Sequence, residues 1–392
     1  MLRSLFILLA LTFRLNANVT ALYLSWYADP ATTMTICWHT PESDESDTIY
    51  LQNTDNQWHA IVGSHAPLRY LLVHTVRLAH LEPNTEYSFR VGANPTVYKC
   101  RTAPNDLTQP IQFIIGGDAD HTTKLFRKMN ETIVKKDPLF CVIGGDIAYA
   151  IKTTPFTFSS SAFNRWISFL SIWKEQMITK EGRIIPLLLG AGNHDIDKED
   201  SELFFTLFPF PEKRLYRTID FDQYLSLILL DTDHLDPIEG VQTDWLNQAL
   251  LERKNRPYQL AIYHEAAYPS YYPYHGTIPK KIRTFWCPLF DKYKISAAFE
   301  NHNHAFKRTH PMTNGEVDPQ GIVYFGDGCW GASPRKTNDM WYLAKRARKN
   351  NVYFVRLTEN EARIEAINLL GESLDSVSIE RRDAETVRSE NH

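Results

Sequence analysis

The chain has 392 residues, of which 43% are hydrophobic and 22% charged, and its formal net charge is -4. That length exceeds what one ordinary core fills, so two domains are expected, and the composition excludes a disordered chain. The mild acidity excludes a strong basic field and, with it, nucleic acid as a stable partner.

The first residues read as an export signal. Arg3 supplies a positive start, Leu5 to Phe13 form an apolar run too short to span a bilayer, and small residues near Ala17 offer a cleavage site. Residues 1–17 are therefore assigned to a signal peptide, and a secreted or periplasmic protein is expected, with no transmembrane span beyond the signal. A buried N-terminal element or an uncleaved anchor is the competing reading. From 18 to 104 the chain breaks into short strands: Leu22 to Trp26, Met34 to Trp38, Ile49 to Leu51, Leu72 to Leu78 and Tyr87 to Val91. Pro30, Pro41, Pro83-Asn84 and Asn94-Pro95 punctuate them, which predicts an all-β sandwich. Thr102 to Pro110 reads as a linker. The five cysteines contain no CxxC, and an odd number describes no disulfide framework. Cys37 and Cys141, inside apolar runs, read as buried thiols.

From 105 to 371 apolar runs alternate with helical periods, which predicts an α/β domain. Leu125, Met129 and Ile133 mark one helix and Trp166, Phe169, Leu170 and Trp173 a second. Trp245, Leu246, Ala249 and Leu250 mark a third, with Thr243 as its cap. Residues 372–392 are a charged tail, a last strand followed by a frayed end.

Five apolar runs of this second domain end in metal-ligand residue types. Ile111 to Ile115 runs into Gly116-Gly117-Asp118, and Leu139 to Ile143 into Gly144-Gly145-Asp146, with Tyr149 beyond. Ile184 to Leu189 leads to Gly192-Asn193-His194-Asp195, Leu260 to Tyr263 to His264, and Ile295 to Phe299 to His302-Asn303-His304. In open α/β sheets ligands bind outside the carboxyl ends of the strands, and carboxylates with imidazoles suit first-row metal ions. One histidine on an apolar face is usually a satisfied core residue; five strand ends that all finish in Asp, Asn or His are not. His302 and His304, two apart on an extended segment, would share a face, and Asp146 can bridge two ions with its two oxygens. No Gly-x-Ser-x-Gly elbow and no P-loop occurs.

The order GGD, GGDIAY, GNHD, a single His, then HNH resembles the calcineurin-like metallophosphoesterase superfamily. Gly145 to Tyr149 is similar to the GDxxY form of purple acid phosphatases, and Leu24 to Trp38 with Leu81 to Gly92 resembles that family's fibronectin type III-like domain. The resemblance spans roughly residues 19 to 330. It implies a fold with a β-sandwich core flanked by helices, and a centre of two metal ions. Asp118, Tyr149 and His304 would hold the first ion, Fe(III), and Asn193, His264 and His302 the second, Zn, Mn or Fe(II), with Asp146 between them. His194 would meet the substrate phosphate or its leaving group, with His275 as a second catalytic imidazole. Asp195 would orient His194 or cap its loop. Two departures stand out. Asp120 replaces a glycine of the family pattern and reads as an extra ligand or, preferably, a solvated loop acid. Asn301 replaces another glycine and would supply the same left-handed turn. Asp231 to Asp233 read as strand termination and support for the site, and Lys307 and Arg308 as solvated surface charges. The expected activity is hydrolysis of phosphate esters, foremost as an acid phosphatase acting on monoesters. The alternatives are a phosphodiesterase or nucleotidase with non-iron metals, and a catalytically weak, metal-stabilised binding protein.

Overall fold

The structure is a computed structural model and describes residues 19–52, 55–151, 162–196, 201–208 and 210–382. The export signal and residues 383–392 of the tail lie outside the described residues. Two four-stranded antiparallel sheets build the N-terminal sandwich. The first runs in the order Ala21–Ser25, Met34–Pro41, Leu71–Leu78, Ser64–Leu68, and the second in the order Trp58–Val62, Thr48–Gln52, Glu86–Val91, Tyr98–Arg101. The edge strands Trp58–Val62 and Ser64–Leu68 and the short Tyr98–Arg101 were not expected. Trp58–Val62 and Ser64–Leu68 are mostly exposed and carry no apolar alternation from which a strand would be read. The five cysteines are all free and buried.

The second unit packs a six-stranded sheet against a seven-stranded one. The first is ordered Leu187–Gly190, Cys141–Gly144, Ile111–Gly116, Val352–Leu357, Glu361–Ile367, Ser373–Glu380. The second is ordered Arg217–Phe221, Leu225–Leu229, Tyr258–Ile262, Ala297–Phe299, Val323–Gly326, Phe306–Thr309, Leu343–Ala347. Strand side chains alternate between faces, and both faces are covered. Phe113, Ile115, Val142 and Leu188 meet Leu260, Ile262, Phe299 and Phe325 between the sheets. Ile114, Ile143 and Leu189 turn outward onto helices Thr123–Val134 and Ala162–Gln176. On the other side, Ile228, Ala261 and Tyr324 pack on Val241–Glu252, Thr277–Phe285 and Cys287–Tyr293. The third expected helix starts earlier than its proposed cap. Gly240 stands at its N-terminus, and the Thr243 hydroxyl donates to the Ile238 carbonyl at 2.6 Å. Among the described residues no helix is long and apolar enough to cross a membrane.

The stretch 102–110 is no free linker. Thr102, Ala103 and Leu107 are buried, and the Tyr224 hydroxyl donates to the Pro104 carbonyl at 2.9 Å. Trp26 of the sandwich meets Phe140 and Phe221 edge-on, with ring centroids 5.8 and 5.9 Å apart, while Phe140 stacks on Phe113 at 4.7 Å. One aromatic cluster thus joins the two units and the space between the sheets. Phe140→Ala should therefore destabilise the whole chain by about 3–5 kcal/mol, read as a shift of one denaturant transition; a loss below about 1 kcal/mol would mean the cluster is not shared core.

Candidate metal centre

Ile111–Gly116, Cys141–Gly144 and Leu187–Gly190 run parallel in one sheet, and Tyr258–Ile262 and Ala297–Phe299 run parallel in the other. The loops leaving their carboxyl ends bring seven donor residues together. Glycine is required at two of the turns. A Cβ on Gly145 (φ +101°) would lie 2.6 Å from His264 Nδ1, and one on Gly192 would lie 2.4 Å from Asp146 Oδ1.

Asp146 stands between two donor sets. On one side Asp118 Oδ1 is 2.9 Å from His304 Nε2 and 3.0 Å from the Tyr149 hydroxyl, which is 3.0 Å from the same nitrogen. On the other, His264 Nε2 is 3.1 Å from Asn193 Oδ1, 3.1 Å from His302 Nδ1 and 3.3 Å from Asp146 Oδ1. Asp146 also accepts the His194 backbone N–H at 2.9 Å. One ligand atom each from Asp118, Asp146 and His304 lies within 4.8 Å of the other two, and the same holds for Asp146, His264 and His302.

The donor chemistry fits metal ions. His264 Nδ1 faces the Gly144 carbonyl at 3.3 Å, so its proton belongs there and Nε2 keeps a lone pair. Around that lone pair stand an amide oxygen, a carboxylate oxygen and a second ring nitrogen. One proton on His302 would pair the two ring nitrogens and leave the Asn193 amide oxygen facing them; a cation engages all four atoms at once. Burial pushes Asp118 up to about 8, and burial followed by the charge of Asp118 pushes Asp146 up to about 6. Burial also drives His302 and His304 down to about 3 and His264 well below the usual imidazole range. The imidazoles are thus neutral, as metal ligands must be.

His194 is half-buried at the rim. Its Nδ1 donates to the Ile151 carbonyl at 3.0 Å, Nε2 has no hydrogen-bond partner among the described residues, and its ring lies 4.9 Å from that of Tyr149. Asp195 does not orient it. That carboxylate caps the loop, accepting the N–H groups of Ile147 at 2.7 Å and Gly192 at 2.9 Å.

Several sequence expectations are corrected. His302 and His304 are not on an extended segment: their φ angles are +75° and +56°, and two left-handed turns send one ring to each donor set. Asn301 is not left-handed; its side-chain amide bridges loops, donating to the carbonyls of Gly144 at 3.0 Å and Tyr263 at 2.8 Å. Asp120 is buried rather than solvated, and its Oδ1 accepts the Thr123 hydroxyl at 2.8 Å at the start of a helix. Lys307 is fully buried against Glu300 and Asp327, and Arg308 pairs with Asp375 at 2.5 Å. His275 is exposed with its ring edge-on to Tyr274, and among the described residues no hydrogen bond, ion pair or ring contact joins it to the donors.

Three residues at the rim were not anticipated as site residues. His234 sits with its ring 5.7 Å from that of His264, held by Thr232 Oγ1 at 3.1 Å, and burial lowers it to about 4. His121 lies edge-on to Tyr149 at 4.8 Å, lowered to about 4 by burial and then by His304. Arg335 donates to the Tyr272 hydroxyl at 2.9 Å, and the Tyr272 ring stacks on His302 at 4.8 Å. His234 carried a signal, being an imidazole three residues past the strand-end acid Asp231. Arg335 carried none.

Known proteins give this arrangement a family. The profile described as purple acid phosphatase, N-terminal domain, matches residues 19–103, and that described as calcineurin-like phosphoesterase matches residues 106–306. Purple acid phosphatase 21 of Arabidopsis thaliana is 26% identical over 274 residues, covering 65% of this chain and 58% of the relative. Probable inactive purple acid phosphatase 1 of the same plant is 23% identical over 344 residues, covering 73% of this chain and 53% of its own. The chain therefore spans little more than half the length of these curated relatives. A purple acid phosphatase, PPD1, from yellow lupin (Lupinus luteus) seeds shares the fold, with a TM-score of 0.76 at 15% identity over 95% of this chain and 76% of the lupin chain. With its second-unit strands ending in this donor set, the chain belongs to the calcineurin-like phosphoesterase family, behind an N-terminal domain of the purple acid phosphatase type.

Proposed function

We propose that this chain hydrolyses phosphate esters at a centre of two metal ions, with phosphomonoesters as its substrate class. The observation that carries the reading is the pair of donor triads sharing Asp146. Asp118, Tyr149 and His304 would hold one ion and Asn193, His264 and His302 the other. Fe(III) suits the set that contains the phenol, and Zn, Mn or Fe(II) the set of nitrogen and amide donors. Ions held there supply charge neutralisation for a phosphoryl group and activation of a water.

The protein's own groups do the rest. His194 has its Nδ1 proton fixed on a carbonyl, so Nε2 is the atom aimed at substrate, placed to hold or give a proton at the leaving oxygen. Asp195 and Asn301 keep the loops in register. Arg335, beside Tyr272 and His302, adds positive charge at the rim for a phosphoryl oxygen. The fibronectin type III-like reading of the first domain is kept, on its two antiparallel sheets, and so is export, which rests on Arg3 and the apolar run after it.

Hydrolysis of p-nitrophenyl phosphate by the purified, metal-loaded chain tests the activity. His194→Ala should lower kcat by about 10²–10⁴ with both ions retained, and unchanged turnover would remove His194 from the reaction. Metal retained in full with no turnover on mono- or diesters would favour the binding-protein alternative. A purple absorption band in the oxidised, iron-containing protein would place Tyr149 on ferric iron, and a colourless protein carrying two other metals would reject that assignment. Asn301→Ala should keep the fold and weaken metal affinity about 10–100-fold, measured by titrating metal into the chelator-stripped chain; wild-type affinity would show that the bridging amide does not position the donors.

A further inference from the structure

A second group of metal-ligating side chains converges in the N-terminal sandwich, outside the centre and unused by it. We propose that Asp47, His65 and His74 form a mononuclear site for a transition-metal ion of the zinc type, which clasps the two sheets of the sandwich together. The placement follows from the strands. His65 and His74 are direct partners across the antiparallel pair Ser64–Leu68 and Leu71–Leu78, so their side chains share a face. Asp47 immediately precedes Thr48–Gln52, a strand of the opposite sheet. Its carbonyl accepts the Gly63 N–H at 2.9 Å. A Cβ on Gly63 would stand 2.1 Å from the Thr75 carbonyl oxygen, so only glycine lets the chain pass there and deliver His65 opposite Asp47.

The polar contacts point to a cation. His65 Nδ1 is 3.0 and 2.9 Å from the two oxygens of Asp47, and His74 Nδ1 is 2.7 Å from Oδ1. The other nitrogen of His74 is 2.7 Å from Thr40 Oγ1, and that hydroxyl donates to the Asp44 carbonyl at 2.9 Å. With its one proton given away, Thr40 can only accept, so the His74 proton sits on Nε2. In the neutral ring, Nδ1 then turns a lone pair on a carboxylate oxygen. A cation between them removes the repulsion, and so does a second ring proton; the experiment separates the two. Trp38 stacks on His74 with centroids 4.8 Å apart and planes 7° apart, fixing the ring as ligand supports do. Zinc holds nitrogen and oxygen donors at about 2.0–2.1 Å, so they stand about 3.3 Å apart, a small opening of the contacts present. The side chains of His65 and Asp47 are 30% and 19% exposed, which leaves a solvent side for entry and for a fourth ligand.

The proposal does not depend on the phosphoesterase reading. The full chain, stripped with a chelator, reloaded with excess zinc and desalted, is analysed for zinc per chain. His65→Ala, on an exposed edge strand, should carry one zinc fewer than the wild type. Asp146→Asn should keep that ion while losing those of the centre, and its thermal midpoint should rise with zinc in a way His65→Ala abolishes. An empty centre would lower the wild type and His65→Ala alike and leave the difference of one. Equal zinc in the two chains, or in the wild type and His65→Gln should the alanine variant not fold, would overturn the site and leave Asp47 as a hydrogen-bond partner of the two histidines.

Discussion

Asp146 is the group on which the geometry of the site turns, since its carboxylate belongs to both donor sets and lies almost wholly inside the protein. Holding it there is unfavourable in itself. Two further buried acids, Asp118 and Asp195, are near enough for the Asp118 charge to raise Asp146 and the Asp146 charge to raise Asp195, both after burial. The backbone is also held in uncommon conformations. Asp118, Asp146, Tyr149, His302 and His304, five of the seven donors, have φ between +50° and +75°. Such conformations in residues other than glycine cost of order 1 kcal/mol each and persist only where the surroundings over-determine them. Here the surroundings are the donor-bearing strands of two sheets, buried on nearly every residue.

The arrangement of sheets and donors was largely legible in the sequence because burial on both faces leaves a plain trace. The run Leu139 to Ile143 is apolar throughout, Ile111 to Ile115 and Leu225 to Leu230 hold one polar residue each, and the donors stand past the strand ends. The sandwich edge strands left no such trace, because Trp58–Val62 and Ser64–Leu68 bury little of either face. The donors were found because each comes after a strand, and three of the seven, Asp118, Asp146 and Asn193, directly follow glycine. The residues around them were misread wherever a partner lies far away in sequence. Asn301 matters for what its amide reaches, 157 residues back at Gly144, and not for its own backbone angle. Arg335 comes to the rim through a loop whose path no local pattern encodes.

Lys307 is the clearest such case. A lysine beside an arginine near a chain turn reads as surface, yet it is fully buried between Glu300 and Asp327. Glu300 also accepts the Tyr263 hydroxyl at 2.8 Å and the Ala267 N–H at 2.7 Å, and Asp327 accepts the Ser270 N–H at 2.9 Å. Buried ion pairs give little net stability because desolvation offsets their attraction. What this one fixes is position: it ties the loop after His264 to the two strand ends on either side of the His302 and His304 turns. Replacing it with apolar residues of equal volume would fill the space and release those loops.

The same logic explains how the donors stand in place through backbone bonding. Past the ends of the parallel strands Ile111–Gly116 and Cys141–Gly144 the two loops stay bonded to each other. Asp118, Ala119 and Asp120 donate to the carbonyls of Gly145, Asp146 and Ile147 at 3.0, 2.8 and 2.9 Å. On the other side of Asp118 its carbonyl accepts from Gly331 at 3.0 Å, and its carboxylate accepts the His302 N–H at 2.8 Å. Asn301 donates to the His264 carbonyl at 2.8 Å and His304 to that of Asp327 at 3.0 Å. Each donor-bearing loop is therefore tied to another by main-chain bonds, whose geometry is far less adjustable than a rotamer. Ions arriving at such a site meet ligands already oriented, so the ordering entropy of the loops is settled during folding rather than on binding. The carboxylates that burial had pushed toward protonation would then ionise in the field of the cations, which makes the folded chain and its ions mutually stabilising.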